Sequence, residues 1–135
     1  MGAPLSQRPV EFALFNWFPE HGAGLVHPDD REAFARLIPA GRVFGVTRHA
    51  DWIDLSLGAV HYRVRGDLLR PVPPPRHWIG DEVLFASGGK TRAGTVREVH
   101  WHFRDERPFY LLSADGKPLS KRYPDDELFQ PDSTS

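Results

Sequence analysis

The fold is decided by residues 80–129, which read GDEVLFASGGKTRAGTVREVHWHFRDERPFYLLSADGKPLSKRYPDDELF. Short apolar runs alternate here with turn residues, a pattern typical of small all-β domains. Strands are expected at residues 80–85 and 94–103, with a loop between them. In the second strand the apolar alternation slips by one residue between Val96 and Val99, as a β-bulge at a bend would produce.

The remainder of this stretch predicts further strands joined by tight turns. A third strand is expected at residues 109–113. Asp115-Gly116 is a two-residue signal for a tight hairpin, which leads into a fourth strand at residues 119–123. A short turn and a closing strand follow at residues 125–129. Strands of this number and length predict one small barrel.

The preceding half of the chain predicts another small barrel with one helix inserted in it. Residues 10–18 carry too many aromatic side chains to remain in water, which indicates a buried strand. A helix is expected at about residues 28–38, because Phe34, Leu37 and Ile38 recur on one helical face. Further strands are expected at residues 42–48, 52–57, 60–64 and 67–71.

The two halves resemble each other as a degenerate tandem repeat. The pattern Gly-x-Val-x-x-Val occurs at residues 41–46 and again at residues 94–99. The first barrel is therefore expected to span residues 10–71 and the second residues 76–131. Residues 72–75 are expected to form a stiff proline-rich linker, which predicts a groove between the barrels.

Composition limits the classes of function. Lys and Arg number 17 against 18 Asp and Glu, so strong non-specific binding to nucleic acid or anionic membranes is not favoured. The chain has no cysteine, which excludes disulfides and thiolate sites. Its start lacks the apolar core of a secretory signal, and no run approaches the roughly 20 apolar residues of a membrane span. A cytoplasmic protein without a membrane partner is expected.

Four sequence blocks resemble those of a family of small uncharacterised bacterial proteins. The blocks are Trp17-Phe18-Pro19-Glu20-His21-Gly22, His27-Pro28-Asp29-Asp30, Trp101-His102-Phe103 and Ser120-Lys121-Arg122-Tyr123. The resemblance implies a bacterial source and a shared fold, and it brings no catalytic residue to this chain. More distantly, the second half is similar to SH3, Tudor, chromo-barrel and KOW-type domains. The fold class expected is mainly β, with two tandem SH3/Tudor-like small barrels.

His100 and His102 form the most specific local pattern, since residues two apart on a strand point to the same face. Two imidazoles on one face can begin a zinc or iron site. The candidates for a third ligand are His21, His27, Glu20 and Asp29. In the alternative interpretation, Trp101 and Phe103 fill the core while the histidines line the opposite, solvated face.

Glu20 and His21 lie in a loop with two glycines, where a carboxylate beside an imidazole can serve as an acid/base pair. In the structural interpretation, His21 bonds to the backbone and holds the loop.

Aromatic residues of the second half invite comparison with cages that bind methylated cations, although core packing also explains them. They are Trp101, Phe103, Phe109, Tyr110 and Tyr123. Basic residues interleaved with them suit contact with nucleic acid, but acidic residues lie among them.

These patterns predict a non-enzymatic module that binds a protein or peptide partner in the groove between the barrels, a class that includes inhibitors and immunity-type proteins. Nucleic acid is the alternative partner, and a histidine-based metalloenzyme is the third interpretation. No cofactor is expected. The residues expected to contact the partner are Trp17, Glu20, His21, His100, His102, Arg104 and Arg122.

Overall fold

The computed structural model describes residues 8–131, and the chain divides into two compact units between Pro74 and Pro75. The elements of the first unit are β1 (Glu11–Phe15), α1 (Arg31–Leu37), β2 (Val43–Arg48), β3 (Ile53–Leu57), β4 (Val60–Val64) and β5 (Leu69–Val72). Those of the second unit are β6 (Glu82–Ser87), β7 (Lys90–His102), β8 (Arg107–Ala114) and β9 (Lys117–Pro124). The mainly β class is confirmed. Across the described residues, no helix is long and apolar enough to cross a membrane.

The first unit is built on an antiparallel sheet with the strand order β4-β3-β2-β1-β5. Phe34 of α1 is fully buried, and its ring centre lies 5.0–5.9 Å from those of Phe15, Trp17, Phe44 and Tyr62. A helix of seven residues is marginal by itself in water. The aromatic cluster therefore holds α1 in place.

Asp30 ties the start of α1 to β4. Its carboxylate accepts hydrogen bonds from the main-chain N–H and the Nε–H of Arg63, at 2.8 and 2.9 Å. The guanidinium hydrogen bond is the main reason that the pKa of Asp30 lies below its ordinary value. Residues 28–30 form a turn, so the helix begins at Arg31 rather than at residue 28 as expected. It ends at Leu37, because Ile38 takes a left-handed φ of 57°.

The second unit is an antiparallel sheet with the order β6-β7-β8-β9. The expected bulge is confirmed, since the register between β7 and β8 shifts between Val96 and Glu98. The hairpin predicted at Asp115-Gly116 is also present, with both residues at positive φ (54° and 77°). The loop expected between β6 and β7 is a two-residue turn at Gly88-Gly89, so β7 starts earlier than predicted.

The prediction of closed barrels was wrong, because both sheets are open. In the first sheet β4 and β5 are the edges, and β5 contains Pro71, which has no N–H for a further strand. In the second sheet β9 is one edge, and β6 meets the end of the described chain at one bridge between Leu84 and Phe129. Within residues 8–131, no ladder joins the two edges of either sheet.

The expectation that Phe103 lies in the core was also wrong. β7 pairs with β6 as far as Thr95, and from there to His102 it pairs with β8 in a projecting hairpin. Val99 is buried, Trp101 is half-buried and Phe103 is 50% exposed. The apolar alternation of β7 thus continues past the last residue that pairs with β6, and the apolar side chains beyond that point are only partly covered.

Candidate functional site

The outer face of β7, β8 and β9 brings together residues that the sequence singled out separately. Val99, Tyr110 and Tyr123 pair across the three strands and are buried. Since successive side chains of a strand alternate between faces, their neighbours lie on the outer face. We call this outer surface the Phe109 face; its rows of paired residues are Glu98, Leu111 and Arg122, then His100, Phe109 and Pro124, then His102 and Arg107.

Phe109 is the half-buried centre of this face. The His100 ring stacks on it, with centroids 5.4 Å apart and planes inclined by 16°. The guanidinium carbon of Arg122 lies 5.3 Å from the Phe109 ring centre, and the His102 ring meets the same ring edge-on at 6.4 Å. Cations and polarised rings are attracted to aromatic faces in this geometry. The structure therefore brings His100, His102 and Arg122 together around Phe109.

Glu98 is the carboxylate within the Phe109 face, and its charge is balanced locally. Nη1–H of Arg97 donates to its Oε2 at 2.9 Å, and Nε2–H of His100 donates to its Oε1 at 2.8 Å. Glu98 thereby fixes the ring plane of His100 against Phe109. Its contribution to the negative charge of the face is offset by Arg97.

Arg97, the extra residue at the bulge, also holds β8 and β9 in register. Its Nε–H donates to the carbonyl of Leu112 at 3.2 Å, and its Nη2–H donates to that of Leu119 at 2.9 Å. Leu112 lies where the register between β8 and β9 shifts, between Leu111 and Ser113. The guanidinium thus satisfies a carbonyl at an irregular point of the sheet, which matters because unpaired polar groups are costly to bury.

We expect Arg97→Met to lower the free energy of unfolding by about 2 kcal/mol, since it removes charged hydrogen bonds but keeps the aliphatic stem. Thermal unfolding followed by circular dichroism measures this effect. Arg107→Met is the matched control, because Arg107 is exposed and its ion pair with Asp105 is long, at 3.9 Å. Equal destabilisation by the two substitutions would contradict the role assigned to Arg97.

The uncompensated charge of the Phe109 face is positive. Within residues 8–131, no hydrogen bond or ion pair engages the guanidinium of Arg122, which makes the ring contact alone. Arg107 and His102 lie 3.9 and 3.6 Å from Asp105 at the end of the hairpin. Arg104 is exposed in the turn after β7, beyond the paired rows of the face.

The predicted residues of the first unit have different settings. Trp17 is 1% exposed and donates from its indole Nε1–H to the carbonyl of Gly22 at 3.1 Å, so it belongs mainly to the core. Its own N–H bonds to the carbonyl of Phe15, which ends β1 short of the expected residue 18. Glu20 and His21 are exposed in a 3-10 turn, and Nδ1 of His21 accepts the Phe18 N–H at 2.9 Å.

Trp17 also lines a cleft of about 320 Å³ between this turn and α1. The other lining residues are Pro19, Ala23, Pro28, Arg31, Glu32 and Ala35. A second depression, of about 280 Å³, lies beside Trp52, Asp54 of β3 and Arg63 of β4.

The geometry of residues 8–131 does not provide a set of metal ligands for the hypothesis of a histidine-based metal site. Residues 8–131 contain no group of three His, Asp or Glu side chains arranged to hold an ion. Of the proposed third ligands, His27 accepts the main-chain N–H of Asp29 at its Nδ1, at 3.1 Å.

Phe109, Leu111 and Arg97 belong to the site but were not among the residues expected from the sequence to contact the partner, although Phe109 was considered as a cage residue. Tyr110, Leu112 and Ala114 are the buried members of β8, so Phe109 and Leu111 point outward. A signal was available, because the bulge fixes the register that sets Phe109 opposite His100. The run Phe109-Tyr110-Leu111-Leu112 is apolar at every position, so its alternation could not show which pair is inside.

Neither the curated proteins nor the solved structures give a match to this chain. One family model matches residues 5–129, nearly the whole sequence, and it describes a family of unknown function. The expectation of an uncharacterised family is thereby confirmed, and the chain belongs to that family, DUF6960.

Proposed function

We propose that this protein is a non-enzymatic binding module that recognises a protein or peptide partner through the Phe109 face. The observation that carries the proposal is the half-exposed apolar centre of Phe109, Leu111 and Pro124, which is surrounded by imidazole and guanidinium groups. Protein interfaces have this anatomy, with an apolar centre and a polar rim in which aromatic residues and Arg are enriched.

The internal bonding of the face supports binding rather than proton transfer. Glu98 is engaged by Arg97 and His100, and His100 is stacked on Phe109. Groups held in this way present a preformed surface, so less conformational freedom is lost when a partner is bound.

The strand order supports a relation of both units to SH3-like barrels. In each unit the last segment lies beside the first strand, and a 3-10 turn precedes it. These turns are Gly66–Leu68 before β5 and Asp125–Glu127 before the bridge at Phe129. The proposed ancestry is a tandem repeat of a small barrel that is open in both copies.

An array of random 12-residue peptides probed with the full chain tests the function. We expect a subset of peptides to bind, and Phe109→Ser and Leu111→Ser each to reduce that binding at least tenfold, because the apolar centre is lost. Circular dichroism before each measurement shows that the variants are folded.

Val60→Ser serves as the control, since Val60 is an apolar residue of β4 that is 51% exposed in the first unit. The proposal fails if no peptide binds, or if Val60→Ser reduces binding as much as the two substitutions in the Phe109 face.

A further inference from the structure

Arg122 is the residue of the Phe109 face whose hydrogen-bond donors are most available to a ligand. Its guanidinium packs over Phe109, and none of its N–H groups bonds to another described residue. Its N–H donors therefore remain available to a ligand, and a guanidinium can bind a carboxylate bidentately. The contact with the aromatic ring thus holds the cation at the surface without using its hydrogen-bond donors.

The nearest carboxylate of the face does not compete for this cation. Leu111 lies between Arg122 and Glu98 in their row of paired residues. The backbones of Arg122 and Glu98 are therefore two strand spacings apart, or about 10 Å. Glu98 is already bonded to Arg97 and His100. The face therefore offers the cation of Arg122 beside an apolar surface.

We infer that the partner presents a carboxylate next to an apolar side chain, as an acidic peptide segment does. The carboxylate is received by Arg122, and the apolar side chain lies on Leu111 and Pro124, which are half-exposed beside it. This inference rests on the proposed function, because it specifies the ligand of the same face.

Charge and stacking favour an acidic peptide over a single-stranded nucleic acid. Sequence-tolerant binding of bases needs free aromatic faces and a continuous basic track. Here Phe109 already has His100 and Arg122 against it. Asp105 lies within 4.0 Å of His102 and Arg107 at the end of the face. The Phe109 face thus suits a single carboxylate better than the repeated phosphates of a nucleic acid.

The test uses the peptides that bind the full chain on the array, each also synthesised with its Asp and Glu replaced by Asn and Gln. We expect amide replacement to weaken binding at least tenfold and Arg122→Gln to weaken binding of the acidic form equally. In Arg122→Gln protein, the amide replacement should have no further effect. Arg122→Lys should restore part of the affinity, since it keeps the charge but not the bidentate geometry.

Arg36→Gln, an equal charge change at an exposed position of α1, should leave binding unchanged. If neutral or basic peptides bind equally well, and binding depends on Phe109 but not on Arg122, the inference is wrong while the proposed function stands. If no peptide binds, the proposed function fails. If instead single-stranded DNA binds, and weakens in Phe109→Ser and Arg122→Gln, the partner is a nucleic acid and the inference is overturned.

Discussion

Phe34→Ala should lower the free energy of unfolding of the first unit by about 4 kcal/mol, through lost apolar burial and the cavity left behind. The ring is fully buried and packs against four aromatic rings of the same unit. It is also the buried residue of α1, so its truncation removes the contact that holds a seven-residue helix on the sheet. Thermal unfolding of the full chain should show a decrease in Tm of about 15 °C or more.

Two comparisons separate this effect from a general loss of helix stability. Phe34→Leu keeps most of the buried volume and should cost less than half as much as Phe34→Ala. Arg36→Ala changes an exposed side chain of the same helix and should be nearly neutral. Limited proteolysis read by mass spectrometry should show new cleavage of Phe34→Ala between residues 8 and 74. A cost below about 1 kcal/mol would mean that α1 is not supported by the aromatic cluster.

The strands, the bulge and the hairpin could be predicted because they depend on local patterns. Alternation between Val96 and Val99 slips by one residue, and the register shifts at that place. Asp115-Gly116 takes positive φ at both residues, which few other pairs tolerate. Closure of the sheets was predicted wrongly, since it depends on pairing between distant edges and leaves no comparable mark in the sequence.

The candidate site was predicted in part. Spacing alone placed His100 and His102 on one face, as the pairing of β7 with β8 confirms. The position of Arg122 beside them depends on the register between β8 and β9, which includes a second shift between Leu111 and Ser113. The sequence of β8 shows no break in its apolar pattern that would predict this second shift. Phe103 is exposed although the alternation of β7 predicts burial, because burial needs a facing layer and the hairpin of β7 and β8 extends past β6.

The second large effect that we expect is a loss of stability at alkaline pH that depends on Tyr110. Its side chain is fully buried, and its hydroxyl donates to Oδ1 of Asp125. Burial, reinforced by this carboxylate, raises the pKa of Tyr110 well above its ordinary value near 10. Below pH 10 the hydroxyl is protonated in both the folded and the unfolded chain. Above pH 10 the unfolded chain loses that proton while the folded chain keeps it, so stability falls by about 1.4 kcal/mol per pH unit.

Urea unfolding of the wild type and of Tyr110→Phe between pH 8 and pH 12 tests this expectation. At pH 8 the variant should be less stable by about 1–2 kcal/mol, because it leaves the Asp125 carboxylate without its donor. The difference should vanish or reverse by pH 12, since phenylalanine has no proton to lose. Tyr123→Phe, on the adjacent strand, is the matched control for the loss of a tyrosine hydroxyl at pH 8. Parallel curves for the wild type and Tyr110→Phe over the whole range would show that Tyr110 does not remain protonated in the folded protein.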